Sequence, residues 1–522
     1  MEHDNEFEDI IELVQKMGHT SNLEDYTDEL VEFVQKVSAA VKKENYNDDE
    51  ITKEYDFEHF IIVDTIVNVL SKLYNSDDSE KLRKFITYLV NINSGHYYDQ
   101  QILNKEFGVC PECNQPNTHE NWCKDCYSKK FQQKFGSWTS GNEHIDKFIQ
   151  DSQLSARSKL DLLEWIPYDR LRNIKYLTQG GFSTIYDAVW LDGLKHWEYY
   201  EEQYFLDKLV EQVLKNLNDS SNIHEDFLNE WKLYLQCQHK IRSNGSRIVT
   251  LFGITQDPST LDYIIVMEKV EYGSLRNNLL IKKYNPNDKF QNLCNILVQL
   301  EGIHKLNLVH GDFHDGNLLC MSHDVIMISD LGLCKPVNQS NIKNEIYGVL
   351  PYIAPEVLRG KPYKKSADMY SFGIIMWEMT SGVPAFHNRS HDFDLSLDIC
   401  QGIRPEIIEG TMSEYVELMK RCWDNDPKKR PTANELIPIF LKWTRKYPAE
   451  KDEEKRVPVP ENEPKVVYHP KSCYSSRKFN DSAKLNEILE QEELSNKIIK
   501  MGINSSEKIV ISENFDDCIV KD

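Results

Sequence analysis

The sequence predicts an α+β protein of several domains, and three observations support that prediction. Residues 1–100 show helical spacing of apolar side chains, the chain from Ile174 onward has short strand-like runs punctuated by glycine, and four cysteines cluster between these regions. With 522 residues, of which 40% are hydrophobic, the chain is long enough for roughly two to four domains with sizeable cores.

The first 100 residues form an acidic region with helical periodicity. Apolar side chains recur three or four positions apart, as at Leu30, Val34 and Val37, and polar runs separate the periodic blocks. The region holds 23 acidic and 9 basic residues. The simplest interpretation of residues 1–100 is a small helical bundle without chemistry of its own. The alternative is a regulatory module on which a partner protein docks.

Charge and hydropathy exclude several classes of function. The formal net charge is −23, so the surface repels nucleic acids and anionic lipids. No apolar run reaches the roughly 18 residues of a membrane span, since Asp64 interrupts the best one, FIIVDTIVNVL from Phe60. The acidic N-terminus, MEHDNEFED, is unlike a secretory signal. We therefore expect a cytoplasmic protein that binds no nucleic acid and has no membrane span.

Four cysteines are arranged as two C-x-x-C pairs, Cys110 with Cys113 and Cys123 with Cys126, separated by nine residues. Each pair can turn two thiolates toward a common point, and four thiolates complete a tetrahedron around one zinc ion. Such a closed site is structural because no coordination position remains for a substrate. We predict a knuckle with structural Zn²⁺ over residues 106–130. A redox pair of dithiols is the alternative interpretation.

The next segment, residues 131–172, is predicted to be a helical connector. The runs IDKFIQ and LDLLEWI have helical character, and Pro167 breaks the pattern shortly before the strand-like runs begin.

A glycine turn opens the strand-rich region. In IKYLTQGGFSTIYDAVW, Gly180 and Gly181 lie between two predicted strands, where the absence of a Cβ lets backbone N–H groups approach phosphates. Lys215 follows at the end of a predicted strand, and Glu230 lies fifteen residues further on in a helical stretch. A strand-borne lysine paired with a helix-borne glutamate can hold the α- and β-phosphates of a nucleotide. Taken alone, each feature is common. Two glycines often form an ordinary hairpin turn, and a lysine with a glutamate often forms a solvated ion pair.

Two short motifs downstream contain the residue types that phosphoryl transfer needs. LVHGDFHDGN, residues 308–317, contains Asp312 and Asn317, and ISDLG, residues 328–332, contains Asp330. One carboxylate can orient a hydroxyl and take its proton, while two oxygen donors hold Mg²⁺ on a nucleotide.

Taken in order, the motifs from Gly180 to Pro431 resemble a eukaryotic protein-kinase domain. The set comprises the glycine turn, V-L-K at Lys215, Glu230, the hinge-like strand YIIVMEKVEYGSL, H-G-D-x-x-x-x-N, D-L-G, A-P-E at 354–356, and Asp368 in SADMYSFGIIMWE. The ending CWDNDPKKRPT, with Arg430, looks most like the tyrosine-kinase-like group. With the cysteine knuckle in front, the layout also resembles a family of kinases expanded in some fungi.

The resemblance implies a bilobal protein-kinase fold, with a small mostly-β lobe and a large mostly-α lobe, and a role for each matching residue. Asp312 would orient the acceptor hydroxyl and take its proton, while Asn317 and Asp330 would hold Mg²⁺. Lys215, locked by Glu230, would grip the phosphates of ATP.

The resemblance also assigns the adenine side and three structural residues. Met267 falls at the gatekeeper position, and Glu268 to Val270 fall at the hinge that meets adenine. Glu356 and Arg430 would form a buried ion pair, and Asp368 would brace the catalytic loop.

The sequence also departs from the family pattern. Thr178 and Ser183 replace two of the usual glycines of the phosphate loop. Gly311 replaces an arginine that contacts a phosphorylated activation segment in many kinases, so we expect no strict dependence on such phosphorylation. His314 and Val349 stand where serine/threonine kinases have a lysine and a threonine. The YIAPE ending favours serine or threonine over tyrosine as the acceptor.

The sequence therefore predicts an ATP- and Mg²⁺-dependent protein kinase that phosphorylates a protein substrate in intracellular signalling. One alternative is a catalytically weak pseudokinase that acts as a scaffold. Another is a small-molecule phosphotransferase, because H-G-D-x-x-x-x-N also occurs in antibiotic and choline kinases.

The predicted domain layout follows from these segments. The kinase domain is expected over residues 173–445, and residues 446–522 are expected to form a charged linker and a largely disordered tail with a short helix.

Overall fold

A computed structural model describes most of the chain beyond its N-terminal region. The described residues are 107–119, 121–179, 183–192, 211–217, 220, 225–242, 246, 248–337 and 346–500. The acidic helices predicted over residues 1–100 lie outside the described residues, as do Gly180 and Gly181. Within the described part of the chain, no helix is both long enough and apolar enough to cross a membrane.

The cysteine-rich segment packs against two helices, α1 (Lys124–Lys134) and α2 (Glu143–Ser155). Helix α1 begins directly after Cys123, so the second cysteine pair lies at its N-terminus. Trp122 is completely buried and stacks on Tyr127 with ring centroids 3.9 Å apart. Through this aromatic contact the small cysteine-rich segment packs against apolar side chains of α1.

The small lobe is built on a six-stranded sheet with strand order β1-β5-β6-β4-β3-β2. The strands are β1 (Glu164–Trp165), β2 (Leu171–Gln179), β3 (Ser183–Trp190), β4 (Glu211–Leu217), β5 (Leu251–Gln256) and β6 (Tyr263–Glu268). Strand β1 pairs parallel with β5, and all other neighbours in the sheet are antiparallel. Helix α3 (Glu225–Arg242) connects β4 to β5 and buries Trp231 and Tyr234 in the core.

The large lobe is mostly helical. Its helices are α4 (Leu275–Tyr284), α5 (Asp288–Lys305), α6 (Pro355–Leu358), α7 (Lys365–Ser381), α8 (Phe393–Gln401), α9 (Ser413–Cys422) and α10 (Ala433–Lys446). Helix α7 is buried along nearly its whole length, because the other helices surround it on all sides. An apolar helix in this position provides a rigid core from which a polar side chain can support neighbouring loops.

Short strands deliver the motif-bearing segments to the cleft between the lobes. Strand β7 (Leu308–Val309) pairs with β10 (Lys335–Pro336), and β8 (Leu318–Cys320) pairs with β9 (Ile326–Ile328). The chain between β7 and β8 carries Asp312 and Asn317, and the chain directly after β9 carries Asp330. The two strand pairs thus hold the ends of both motifs side by side.

The segment after α10 follows a defined path over the large lobe up to residue 500. It forms β12 (Arg477–Phe479), which pairs antiparallel with β11 (Ile346–Gly348), and then α11 (Ser482–Lys500). Helix α11 buries Leu485 and Leu489 against the lobe.

The prediction of a largely disordered tail is therefore wrong over residues 446–500, although the predicted short helix is present. The sequence contains few apolar residues here, but the segment is anchored by polar contacts with the large lobe instead. Arg456 forms a buried ion pair with Asp288, and the backbone of Val457 exchanges two hydrogen bonds with the Asn285 side chain. Residues 501–522 lie outside the described residues.

Candidate active site

Asp312 lies in the loop after β7, which is predicted to be the catalytic loop and which Asp368 of α7 supports from below. The Asp368 carboxylate accepts the backbone N–H groups of His310 and Gly311 at 2.9 and 3.2 Å, and His304 Nε2 lies 2.9 Å from the same carboxylate. All of these groups are buried, so each hydrogen bond satisfies a polar atom that water cannot reach. The sequence-based assignment of Asp368 as a brace for this loop is confirmed by these contacts.

His310 adds a second support to the loop. Burial lowers the pKa of His310, so the ring is neutral at physiological pH. Its Nε2 donates to the Ser329 carbonyl at 3.2 Å, which leaves Nδ1 to accept the Asp312 N–H at 3.3 Å. The ring therefore connects the segment carrying Asp312 to the segment that precedes Asp330.

The two candidate metal ligands lie on either side of this connection. The Asn317 side-chain amide donates to the Asp312 carbonyl at 2.9 Å, and the Asn317 carbonyl accepts the Ser329 N–H at 2.9 Å. Asp330 adopts a left-handed backbone conformation, with φ of 51°, directly after Ser329. The structure thus brings Asp312, Asn317 and Asp330 together around one side of the cleft.

Lys215 reaches this group from the small lobe. It lies on β4 opposite Ile185 and Ile265, and its Nζ is 2.6 Å from Asp330 Oδ1. Burial alone would raise the pKa of Asp330, but Lys215 and the Gly332 N–H hold it below its ordinary value. The lysine and the aspartate thus form an ion pair across the two lobes.

Glu230 lies on the expected helix but does not form the expected ion pair with Lys215. Among the described side chains, the ion-pair partner of Lys215 is Asp330 and not Glu230. The Glu230 carboxylate packs against Gly332, where an added Cβ would lie 2.7 Å from Glu230 Oε1. Burial raises the pKa of Glu230 to about 8, because Asp330 adds repulsion and Lys215 only partly offsets it. The predicted lock between Lys215 and Glu230 is thus not formed in this arrangement.

His314 faces the carboxylate of Asp312. Its Nδ1 accepts the Gly316 N–H at 3.0 Å, so the ring proton resides on Nε2, which lies 3.6 Å from Asp312 Oδ2. The sequence reasoning noted His314 only as a departure from the usual lysine. The structure shows that it directs an N–H donor toward the same carboxylate.

Arg276 and Asp315 form a buried ion pair that the sequence reasoning did not find. Arg276 lies in the first turn of α4, and its Nε donates to Asp315 Oδ1 at 2.9 Å. Asp315 sits within H-G-D-x-x-x-x-N at a position that the motif leaves unspecified. Only tertiary structure brings the two residues together, since 38 residues separate them.

Gly311 is required by its backbone and its surroundings. Its φ is 80°, and an added Cβ would lie 2.6 Å from the Leu333 carbonyl oxygen. The sequence indicated that an arginine is missing here. In the structure, the Leu333 carbonyl occupies the space that any side chain at this position would need.

The residues predicted to meet adenine line the junction between the lobes. Met267 is the penultimate residue of β6, pairs with Val213 and is buried, and Val270 is buried beyond it. Glu268 faces inward, where its Oε2 accepts the Thr250 N–H at 3.1 Å. These positions leave the backbone of the junction at the mouth of the cleft.

The predicted pair of Glu356 and Arg430 is confirmed as a buried, bidentate ion pair. Two guanidinium nitrogens of Arg430 lie 2.8 and 2.7 Å from the two carboxylate oxygens of Glu356. The pair ties α6, at the end of the activation segment, to the loop before α10.

The four knuckle cysteines converge on one point. Their sulfur atoms all lie within 4.8 Å of one another, with Cys110 to Cys126 at 3.7 Å and Cys113 to Cys123 at 3.5 Å. Burial raises the pKa of Cys123 and of Cys126, whereas backbone hydrogen bonds overcome burial at Cys110 and lower its pKa to about 7. Four thiols this close cannot all ionise unless a cation offsets their mutual repulsion.

Comparison with known protein families identifies the kind of domain that contains the cleft. Residues 203–439 match the family model described as the protein kinase domain. This chain contains a protein kinase domain. The matched region begins after β3. Strands β2 and β3 therefore precede it, although they belong to the same six-stranded sheet as β4, β5 and β6. The predicted bilobal α+β kinase fold is confirmed.

Individual relatives of this kinase agree with that assignment. Serine/threonine-protein kinase STY46 of Arabidopsis thaliana is 26% identical over 283 residues, covering 51% of this chain and 48% of the relative. Serine/threonine-protein kinase STY17 of the same plant is 25% identical over 270 residues, covering 48% and 46%. The chain thus spans less than half the length of these relatives. The narrower likeness to fungal kinases with a zinc knuckle stays a prediction.

Proposed function

We propose that this chain is an active protein kinase that transfers the γ-phosphate of ATP to a serine or threonine hydroxyl of a protein. The observation that supports this best is the convergence of Lys215, Asp312, Asn317 and Asp330 on one cleft, with the base and metal side held by buried hydrogen bonds. The names of the relatives in the comparison favour serine or threonine as acceptor.

Each residue has a role that follows from its position. Mg²⁺ bound with ATP would supply positive charge to the phosphates, with Asn317 and Asp330 as its protein ligands. Lys215 would leave Asp330 to bind the phosphates, since a metal and an ammonium compete for the same carboxylate. Asp312 would orient the acceptor hydroxyl and take its proton, and His314 would hold the carboxylate in that orientation.

A protein acceptor is favoured over a small molecule by the activation segment. Strand β11 presents an edge that already pairs with an extended piece of chain, and the pair of Glu356 and Arg430 supports the platform beneath it. An edge strand can form backbone hydrogen bonds with a peptide, whereas a small alcohol has no peptide backbone to pair with it.

The test is Mg²⁺-dependent transfer of phosphate to a peptide library with serine, threonine or tyrosine acceptors, and to small alcohols. We expect transfer to serine or threonine peptides, and its loss in Asp312→Asn while ATP still binds. Equal rates for the wild-type chain and this variant would contradict the proposal. Transfer to small alcohols alone would support a small-molecule phosphotransferase.

A catalytically weak scaffold is the second candidate function, and the unpaired Glu230 is the observation that favours it. A kinase that cannot form the pair between Lys215 and Glu230 would bind ATP poorly and transfer phosphate slowly. Binding of ATP without any transfer in the same assay would support the scaffold.

We propose further that the cysteine knuckle holds one structural Zn²⁺. Tetrahedral coordination with Zn–S bonds of about 2.3 Å places sulfur atoms roughly 3.8 Å apart, which matches the observed sulfur separations. Metal analysis of the purified chain should find one zinc per chain, and Cys123→Ser should reduce it, whereas Cys473→Ser, outside the knuckle, should not. Full zinc content in Cys123→Ser would contradict this assignment.

A further inference from the structure

The chain after α10 returns along the large lobe and pairs with the segment that carries β11. Strand β12 pairs antiparallel with β11, with Phe479 opposite Ile346, Lys478 opposite Tyr347, and Arg477 opposite Gly348. Strand β11 belongs to the activation segment, and one residue, Val349, separates it from the helical turn that leads to A-P-E. An extended strand on this edge occupies the place where a protein substrate would pair with the kinase.

Side-chain contacts anchor the chain on its approach to β12. Arg276 Nη1 donates to the Tyr474 carbonyl at 2.9 Å, and its guanidinium lies 5.0 Å from the centre of the Tyr474 ring. The Tyr474 hydroxyl donates to the Ala385 carbonyl at 2.8 Å, and the His391 N–H donates to the Lys471 carbonyl at 3.2 Å. Residues 471–479 are thus fixed at several points before and within the strand pair.

The register brings the residue before β12 next to the catalytic base. A Cβ placed on Gly348 would lie 3.6 Å from Asp312 Oδ1. Paired antiparallel residues lie roughly 4.5–5.5 Å apart, so Arg477 is one strand spacing from Gly348. Continuing the register by one step sets Ser476 opposite Val349, the residue that follows Gly348.

Ser476 is also the hydroxyl in this segment that is buried without a partner. Its Oγ is inaccessible and makes no hydrogen bond to any described residue. By contrast, Ser472 donates to the His469 carbonyl at 2.8 Å, Tyr474 donates to Ala385, and Ser475 is exposed.

We propose that residues 471–479 are an intramolecular substrate and that Ser476 is its phosphate acceptor. In this step the Ser476 Oγ forms a bond to the γ-phosphorus of ATP, the bond from that phosphorus to the bridging oxygen breaks, and ADP leaves. The hydroxyl proton passes to the Asp312 carboxylate. The proposal rests on the proposed kinase function, because it needs the same ATP and the same base.

The same geometry defines the class of external substrate. A protein that displaces this segment should present an extended strand with a serine followed by basic residues, as in Ser476-Arg477-Lys478. Backbone pairing with Ile346–Gly348 would set its register, and the serine would take the place of Ser476.

The experiment uses the full chain, dephosphorylated and then incubated with Mg²⁺ and ATP, followed by mapping of phosphorylated residues by mass spectrometry. We expect phosphate on Ser476, at a rate per molecule that does not change with enzyme concentration. Ser476→Ala should remove this phosphate, whereas the matched control Ser475→Ala should keep it. Both positions precede β12, and neither variant alters a residue of the proposed catalytic machinery.

Transfer to a serine peptide is measured on the same samples, which separates this proposal from the proposed function. Peptide phosphorylation without phosphate on Ser476 would overturn the intramolecular substrate and leave the kinase function intact. A rate per molecule that rises with enzyme concentration would overturn the intramolecular step. Absence of both activities would overturn the kinase function and this proposal together.

Discussion

The two sides of the cleft differ in how completely they are assembled. On the large-lobe side, Asp368 accepts the backbone N–H groups of His310 and Gly311, and His310 accepts that of Asp312. On the small-lobe side, Lys215 spans the cleft to Asp330 while Glu230 remains unpaired with it. In the proposed function, the base is therefore prebuilt, whereas the phosphate-binding side would be completed when nucleotide and metal separate Lys215 from Asp330.

The physical reason lies in the groups that surround each side. Around Asp312 the partners are backbone amides and a neutral histidine, which keep their state when ATP binds. Around Lys215 the partner is the Asp330 carboxylate, while Glu230 lies near the lysine without pairing with it. A divalent cation bound at Asp330 would compete with Lys215 for that carboxylate, so we expect the pairing on the small-lobe side to change when nucleotide and metal bind.

The largest effect is expected from breaking the prebuilt side at Asp368. Asp368→Asn loses an acceptor for two buried backbone N–H groups and for His304, so we expect a loss of roughly 2–5 kcal/mol in the free energy of unfolding. The rate of phosphate transfer should fall by about 100-fold or more because Asp312 is no longer held. Urea unfolding and initial rates measure the two effects. The control Asp426→Asn alters an exposed cap and should change neither; an Asp368→Asn variant that matches it would contradict the comparison.

A smaller loss is expected at Gly311, on the same side. Gly311→Ala combines a strained backbone at φ of 80° with a Cβ that meets the Leu333 carbonyl, for a combined loss of about 2–4 kcal/mol. Gly410 has a φ of 79° and open space around it, so Gly410→Ala should cost only about 1–2 kcal/mol. The excess at Gly311, measured by urea unfolding, isolates the close approach of Leu333. Equal losses in the two variants would show that the space around Gly311 is open.

On the small-lobe side, the pH dependence of stability tests the unpaired Glu230. The folded chain holds this proton more tightly than the unfolded chain, because the pKa is raised to about 8 from an ordinary value of 4.5. The stability from this group is therefore present below about pH 4.5 and is lost as pH rises through about 8. Glu230→Gln should melt with the wild-type chain near pH 5 and above it near pH 9.

Melting curves across this pH range, recorded without nucleotide, give the comparison, and Glu409→Gln provides a control at an exposed glutamate. A constant difference in melting temperature between wild-type and Glu230→Gln at every pH would mean that Glu230 is charged and paired.

The smallest effect is expected at His314, which supports the prebuilt side through one backbone group, the Gly316 N–H. His314→Ala removes this acceptor and the Nε2 donor facing Asp312, so it should lower the rate of transfer roughly tenfold and the free energy of unfolding by about 1 kcal/mol. His314→Lys supplies another donor in the same direction and should recover most of the rate. A lysine variant no faster than the alanine variant would show that His314 matters only for packing.

Much of the candidate site could be predicted from the sequence because its spacing reflects local chemistry. The offsets among Asp312, Asn317 and Asp330 depend on one loop and one hairpin, and the structure brings these residues together. The strand of Lys215 and the helix of Glu230 were also expected, since short-range periodicity specifies each element. What the sequence could not show is which partner Lys215 selects, because that choice depends on the relative burial of two carboxylates from distant segments.

The path of the chain after α10 could not be predicted from the sequence, for a similar reason. Its composition is polar, and polarity is typical of disorder when the partners are unknown. The partners of Arg456 and Arg477 lie 80 or more residues earlier in the chain. Pairing with β11 depends on an unsatisfied strand edge, which a periodicity pattern does not reveal.

Amide hydrogen exchange with and without Mg²⁺ and ATP tests the difference between the two sides most directly. The account predicts that residues 308–317 are strongly protected in the free chain and change little on addition of nucleotide, while residues 211–217 and 225–242 gain protection. Slow exchange in β4 and α3 before nucleotide is added, together with a large gain in the catalytic loop, would contradict it.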